Sequence, residues 1–188
     1  EEAVYTEIVN LPPITGGYTV AYQRCCRNNT ILNLINPGGV GATYFEHIPG
    51  PEVAAVNSSP RFNEFPPMYI CNGISIDFNH AATDPDGDQL VYSICNAYNG
   101  LDNCCPVLNY GGSCGSPCPS FNSPSTYESV PYQAPYSASY PMSSSPAISI
   151  DPQTGFLSGV PNINGQWVVA VCVQEIRNGV VIGTHQRD

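Results

Sequence analysis

The chain has 188 residues, 42% of them hydrophobic and 11% charged, which is enough for one large or two small domains with a buried core. It has no lysine, and five arginines face fifteen acids for a formal charge of -10, which argues against nucleic acid or an anionic membrane as a partner. No apolar run reaches the length of a membrane-spanning helix, and 19 prolines and 17 glycines interrupt every long helical stripe, so the expected fold class is all-β.

In chain order, alternating runs predict strands at Val4 to Val9, Tyr18 to Gln23, Ile70 to Phe78, Gln89 to Ile94, Ala147 to Ile150 and Trp167 to Val173. A polar, proline-bearing stretch from Asn57 to Pro67 suits neither ladder nor helix and marks a boundary. We therefore expect a partial sandwich module or strand-donating segment over 1–58 and an immunoglobulin-like or cadherin-like β-sandwich over 59–188. At roughly sixty residues the first part is marginal as an independent core. Within the second, Thr83-Asp-Pro-Asp-Gly-Asp88 and Asp151-Pro-Gln-Thr-Gly155 read as turns leading into strands. Residues 99–145 form an insertion rich in Cys, Pro, Ser and Tyr. Asn178-Gly179 predicts a type I′ hairpin, because both positions tolerate positive φ.

Nine cysteines (Cys25, Cys26, Cys71, Cys95, Cys104, Cys105, Cys114, Cys118 and Cys172) in this composition point to an oxidising compartment and to disulfides. Zinc competes only at Cys114-Gly-Ser-Pro-Cys118 with Cys104 and Cys105, where vicinal cysteines fit one tetrahedral ion poorly and no histidine is near. The odd count leaves one thiol free, paired between chains, or paired outside this sequence.

Asp84, Asp86 and Asp88 place three hard oxygen donors beside Gly87, a pattern that Ca2+ favours. A solvated Asp-Gly turn accounts for the same residues without metal. The loop is no EF-hand, since Gly87 comes too early and Cys95 stands where the bidentate acid belongs. Tyr110, Tyr127, Tyr132, Tyr136 and Tyr140 either pack the insertion onto a sheet or offer a ligand-binding face. Asn28 and Asn57 lie in glycosylation triplets. His47, His80 and His185 are accompanied by no nucleophile elbow, zinc-binding histidine pair or phosphate loop, and no enzyme is expected.

The Asp-Pro-Asp-Gly-Asp turn before Leu90-Val-Tyr-Ser93, with Ile150 to Pro161 before Gly165-Gln-Trp-Val-Val-Ala-Val171, resembles the cadherin-like, immunoglobulin-like and PKD-like modules of bacterial surface proteins over about residues 60 to 188. Tyr22-Gln-Arg-Cys-Cys-Arg27, with Gly41-Ala-Thr-Tyr44 and Val171 to Ile182, is similar to large secreted surface proteins of Bacteroidota associated with gliding motility or adhesion. The resemblance implies export, a location outside the cell or on its surface, and a role in surface structure or attachment, with no catalytic residues to carry over. In similar proteins further β sequence precedes Glu1 and follows Asp188, so an open-ended sandwich is expected.

An open sandwich leaves unpaired backbone groups above core side chains, which a strand from a neighbour can satisfy. Val4 to Leu11 is the candidate donor, with Val4, Thr6 and Ile8 on one face. Head-to-tail donation does not close and builds a filament. The function expected is therefore a self-associating structural subunit of a surface filament or adhesin. The alternative is an adhesin repeat that binds glycan or a protein on a host or other surface, with Ca2+ as a possible cofactor.

Overall fold

The computed structural model describes residues 5–100 and 127–188. Val4, Tyr110, Cys104, Cys105, Cys114 and Cys118 lie outside the described residues. The fold is all-β, with several antiparallel sheets.

The strands are β1 (Tyr18–Arg24), β2 (Ala42–Ile48), β3 (Arg61–Phe62), β4 (Ile76–Asn79), β5 (Ala82–Thr83), β6 (Gln89–Cys95), β7 (Ser149–Ile150), β8 (Phe156–Gly159), β9 (Ala170–Arg177) and β10 (Val180–Arg187). Two three-stranded sheets, ordered β10-β9-β6 and β4-β8-β7, face each other across a core of Ile76, Met142, Ile148, Leu157 and Val171, flanked by Phe78, Ile94 and Val169. Each such side chain removed from water stabilises the sandwich by roughly 1.5–3 kcal/mol before the cost of ordering it. β9 is the central strand of its sheet. Its run Ala-Val-Cys-Val is buried at every position, as expected of a strand covered on both faces.

Turn chemistry sets the registers. Asn178 and Gly179 both have positive φ, 53° and 80°, and join β9 to β10 as the sequence predicts. Asp84 Oδ1 accepts the backbone N–H groups of Asp86 and Asp88 at 2.9 and 3.0 Å, and Asp151 Oδ1 does the same for Gln153 and Thr154. Both aspartates thus close the turns entering β6 and β8. Cys95 of β6 is disulfide-bonded to Cys172 of β9 across the neighbouring strands, and Cys25 is bonded to Cys26. Among the described residues Cys71 has no disulfide partner and is exposed.

Residues on both sides of the expected boundary share a second core: Leu34 and Val40 pack with Ala97, Val130, Val168 and Ala170. Asn33 is fully buried here. Its Nδ2 donates to the carbonyls of Pro141 and Val168 at 2.7 and 2.8 Å, and its Oδ1 accepts Val168 N–H at 3.0 Å. A buried amide so completely satisfied ties the first part to the second.

β1 and β2 pair along their whole length, from Tyr18 opposite Ile48 to Arg24 opposite Ala42. The run before them differs from expectation. Residues 5–14 join no ladder, and Tyr5 and Ile8 are 92% and 88% exposed. The alternation is present, but the described residues offer this segment no neighbouring edge. Among the described residues no helix is long and apolar enough to cross a membrane.

Candidate functional site

Two arrangements stand out: a buried ionic network across β2, β9 and β10, and an apolar groove that opens the sandwich core.

The network brings together Asp84, Asp86 and Asp88 as the turn predicts, and adds Glu175 of β9, with one carboxylate oxygen from each lying within 4.8 Å of the others. Glu175 is fully buried, and burial pushes its carboxyl above the usual range. Its Oε2 accepts Asn57 Nδ2 at 3.1 Å and lies 3.2 Å from His185 Nε2, while Oε1 has no partner. Gly183 stands opposite Glu175 in the ladder. A Cβ there would come within 2.9 Å of both Glu175 Oε2 and His185 Nε2, so the glycine makes room for the buried pair. His185 Nδ1 lies 2.6 Å from the Glu46 carboxylate of β2. Burial draws the imidazole pKa down, but the hydrogen bonds and charges of Glu46 and Glu175 outweigh it and leave it raised.

Whether this cluster suits Ca2+ depends on which oxygens are free. Arg177 Nε and Nη2 clamp both oxygens of Asp88 at 2.8 and 2.5 Å, and Nη2 reaches Asp86 at 3.4 Å and Asn57 Oδ1 at 2.8 Å. The Arg177 hydrogen bond holds Asp88 below the ordinary carboxylate range. Asp86 Oδ2 also accepts Ser58 N–H at 2.6 Å. The guanidinium therefore supplies the cation these carboxylates need. Asp84 Oδ2 and Glu175 Oε1 remain as buried oxygens without partners. The donors are of the type Ca2+ takes, yet a full shell of six to eight oxygens requires Arg177 to leave Asp88.

The groove has a volume of about 480 Å³ and runs between β4 and the end of β10. Its lining includes the core residues Ile76, Ile148 and Leu157, together with Phe78, Phe65 and Arg187. Phe65, Met68 and Tyr69 in the loop before β4 are 76–89% exposed. An opening that joins core side chains to an exposed apolar loop is the kind of surface that partners cover. Three polar groups line it, His80, Arg187 and Asp188. His80 is 7% exposed with Nδ1 lacking a partner, and burial, reinforced by the charge of Arg187, lowers its pKa to about 4, so the ring is neutral. The Arg187 guanidinium lies 3.9 Å over the Phe62 ring and donates to the Glu64 carbonyl at 2.7 Å. Among the described residues it forms no salt bridge.

The tyrosines suggested as a ligand face are half-buried. Tyr127 packs on Phe45, Tyr136 lies edge-on to Trp167 and stacks with Tyr140, and Tyr132 Oη accepts Ala97 N–H at 3.4 Å. Of the glycosylation candidates, Asn28 is exposed, whereas the Asn57 amide is engaged by Glu175 and Arg177. Sequence reasoning missed Glu175 and His185 as members of one site. The signal was an acid within an apolar strand, facing a glycine and a histidine across a hairpin.

No protein-family model matches the chain, and no solved structure matches it. A similar curated protein is the integrin beta-like protein A of Dictyostelium discoideum, 34% identical over 103 residues. The match covers 52% of this chain and 5% of that protein.

Proposed function

We propose that the chain is a structural subunit of an extracellular surface filament or adhesin, assembled head-to-tail by β-strand complementation. One observation carries this reading: the apolar segment Tyr5 to Leu11 has no ladder partner, in a molecule whose sandwich core opens to solvent. Both features cost free energy in an isolated copy, and both are relieved when the segment of one copy enters another. Donor and acceptor are different surfaces, so each addition leaves a fresh acceptor and the assembly stays open.

Three further points support a surface location and an attachment role. The Cys95–Cys172 disulfide suits an oxidising environment. The resemblance of the Asp-rich turn and the Tyr22 to Arg27 string to secreted bacterial surface proteins points the same way. So does the partial likeness to an integrin beta-like protein. In this reading the molecule's work is mechanical, done by strand pairing and packing.

Sedimentation of the 188-residue chain beside a version lacking residues 1–11 tests the proposal. The full chain should form a concentration-dependent series of oligomers, and the shortened chain should remain a folded monomer. A full chain that stays monomeric at all concentrations would refute it.

A further inference from the structure

We infer that the groove between β4 and β10 is the acceptor for residues 4–8 of a second copy, with the Glu7 carboxylate paired to the Arg187 guanidinium fixing the register. The inference rests on the strand-complementation reading above and identifies the surface that receives the strand.

The polar pattern of the segment matches that of the groove. In an extended strand Val4, Thr6 and Ile8 share one face and Glu7 lies on the other. A face that is apolar, polar, apolar suits a floor made of Ile76, Phe78 and Leu157 with one unpartnered polar atom, His80 Nδ1. The Thr6 hydroxyl is the only polar side chain on that face and is the group able to satisfy the ring nitrogen. Glu7, on the outward face, meets the rim cation Arg187, which lacks a carboxylate partner among the described residues. The neighbouring Asp188 is already engaged, by Arg27 at 2.6 Å and by Tyr44 at 2.7 Å, so it leaves Arg187 free for an acid from outside. In a strand that slips by one residue, Glu7 would face the apolar floor, so the charge pair also selects the register.

The position of the segment argues for a second copy as the source. It leaves the molecule through Tyr18, which is opposite Ile48, whereas the groove's Asp188 is bonded to Tyr44 and Arg27 toward the other end of the β1–β2 pair. In this copy residues 5–14 join no ladder, and Tyr5 and Ile8 are 92% and 88% exposed, so the molecule's own groove does not hold the segment.

The test is a charge swap read by sedimentation. Glu7→Arg alone and Arg187→Glu alone should each weaken association at least about tenfold, the effect of roughly 1.4 kcal/mol, and the double variant should recover most of it. Glu7 belongs to a segment with no ladder contacts, so Glu7→Arg reports on association and not on folding. A synthetic peptide of residues 4–11 is also titrated onto the chain lacking residues 1–11, and its Glu7→Arg form onto the same chain carrying Arg187→Glu. Matched pairs should bind and mismatched pairs should not. Association unchanged by Glu7→Arg, or a double variant no better than the weaker single, would overturn the groove assignment. If removal of residues 1–11 still abolishes assembly in that case, strand donation stands and its acceptor lies elsewhere.

Discussion

His185 of β10 and Glu46 of β2 are joined at 2.6 Å, and the same imidazole reaches Glu175 of β9 at 3.2 Å. One ring thus connects the β1–β2 pair to the main sandwich through two carboxylates. The folded pKa of His185 is raised, because Glu46 and Glu175 together outweigh the opposing effect of burial. Its contribution to stability is therefore fully present below the unfolded histidine value of about 6.5 and is lost as pH rises through the folded value. The wild-type Tm should fall as pH rises from 6 to 9. His185→Leu should cost about 1–3 kcal/mol near pH 6 through lost hydrogen bonds and should flatten the profile, as checked by thermal unfolding at several pH values.

Glu175 acts in the same direction for a different reason. Burial raises its carboxyl, so the stability linked to its protonated form is present below about pH 4.3 and is lost as pH rises through the folded value. Glu175→Gln keeps an acceptor for Asn57 and His185 and supplies a donor toward Asp84 or Asp88. The Tm difference between Glu175→Gln and wild type should shift in favour of the variant as pH increases. A difference independent of pH would show that Glu175 does not titrate in this range.

Arg177 competes with calcium for the same carboxylates. Wild-type Tm should be insensitive to millimolar Ca2+, because Arg177 already clamps both Asp88 oxygens. Arg177→Gln should lower Tm in chelator and recover in Ca2+. Calorimetry with Ca2+ and Mg2+ arms measures this, and a calcium-dependent rise in wild-type Tm would contradict it.

Much of this fold could be read from local chemistry. Asn178-Gly179 specifies its hairpin because few other pairs accept two positive φ values. Asp84 and Asp151 announce their turns because a short carboxylate closes on the backbone two residues ahead. What escaped the sequence depends on distant partners. β8 is four residues, Phe-Leu-Ser-Gly, too short to show a period. β2 follows a glycine-rich stretch that obscures its start. Of Ile70 to Phe78 only the last part pairs, because β8 offers β4 an edge just four residues long. The Val4 to Val9 run has the alternation of a strand, but pairing belongs to two segments, and the described residues supply no mate for it. Glu175 was overlooked because composition does not reveal which strand becomes central, and only a central strand buries that position.

The Cys95–Cys172 bond links neighbouring strands 77 positions apart in sequence. Closing a loop of that length in the unfolded chain supports a contribution of about 4.5 kcal/mol. The double variant Cys95→Ala, Cys172→Ala should lose that much in denaturant unfolding, and it should retain assembly wherever it remains folded.

Backbone amide exchange of residues 5–11, followed across protein concentration, tests strand donation most directly. These amides should exchange without protection in dilute protein and become protected, together with residues 76–79 of β4, as concentration rises. Amides of the segment that remain unprotected at every concentration, or are equally protected at all of them, would contradict head-to-tail complementation.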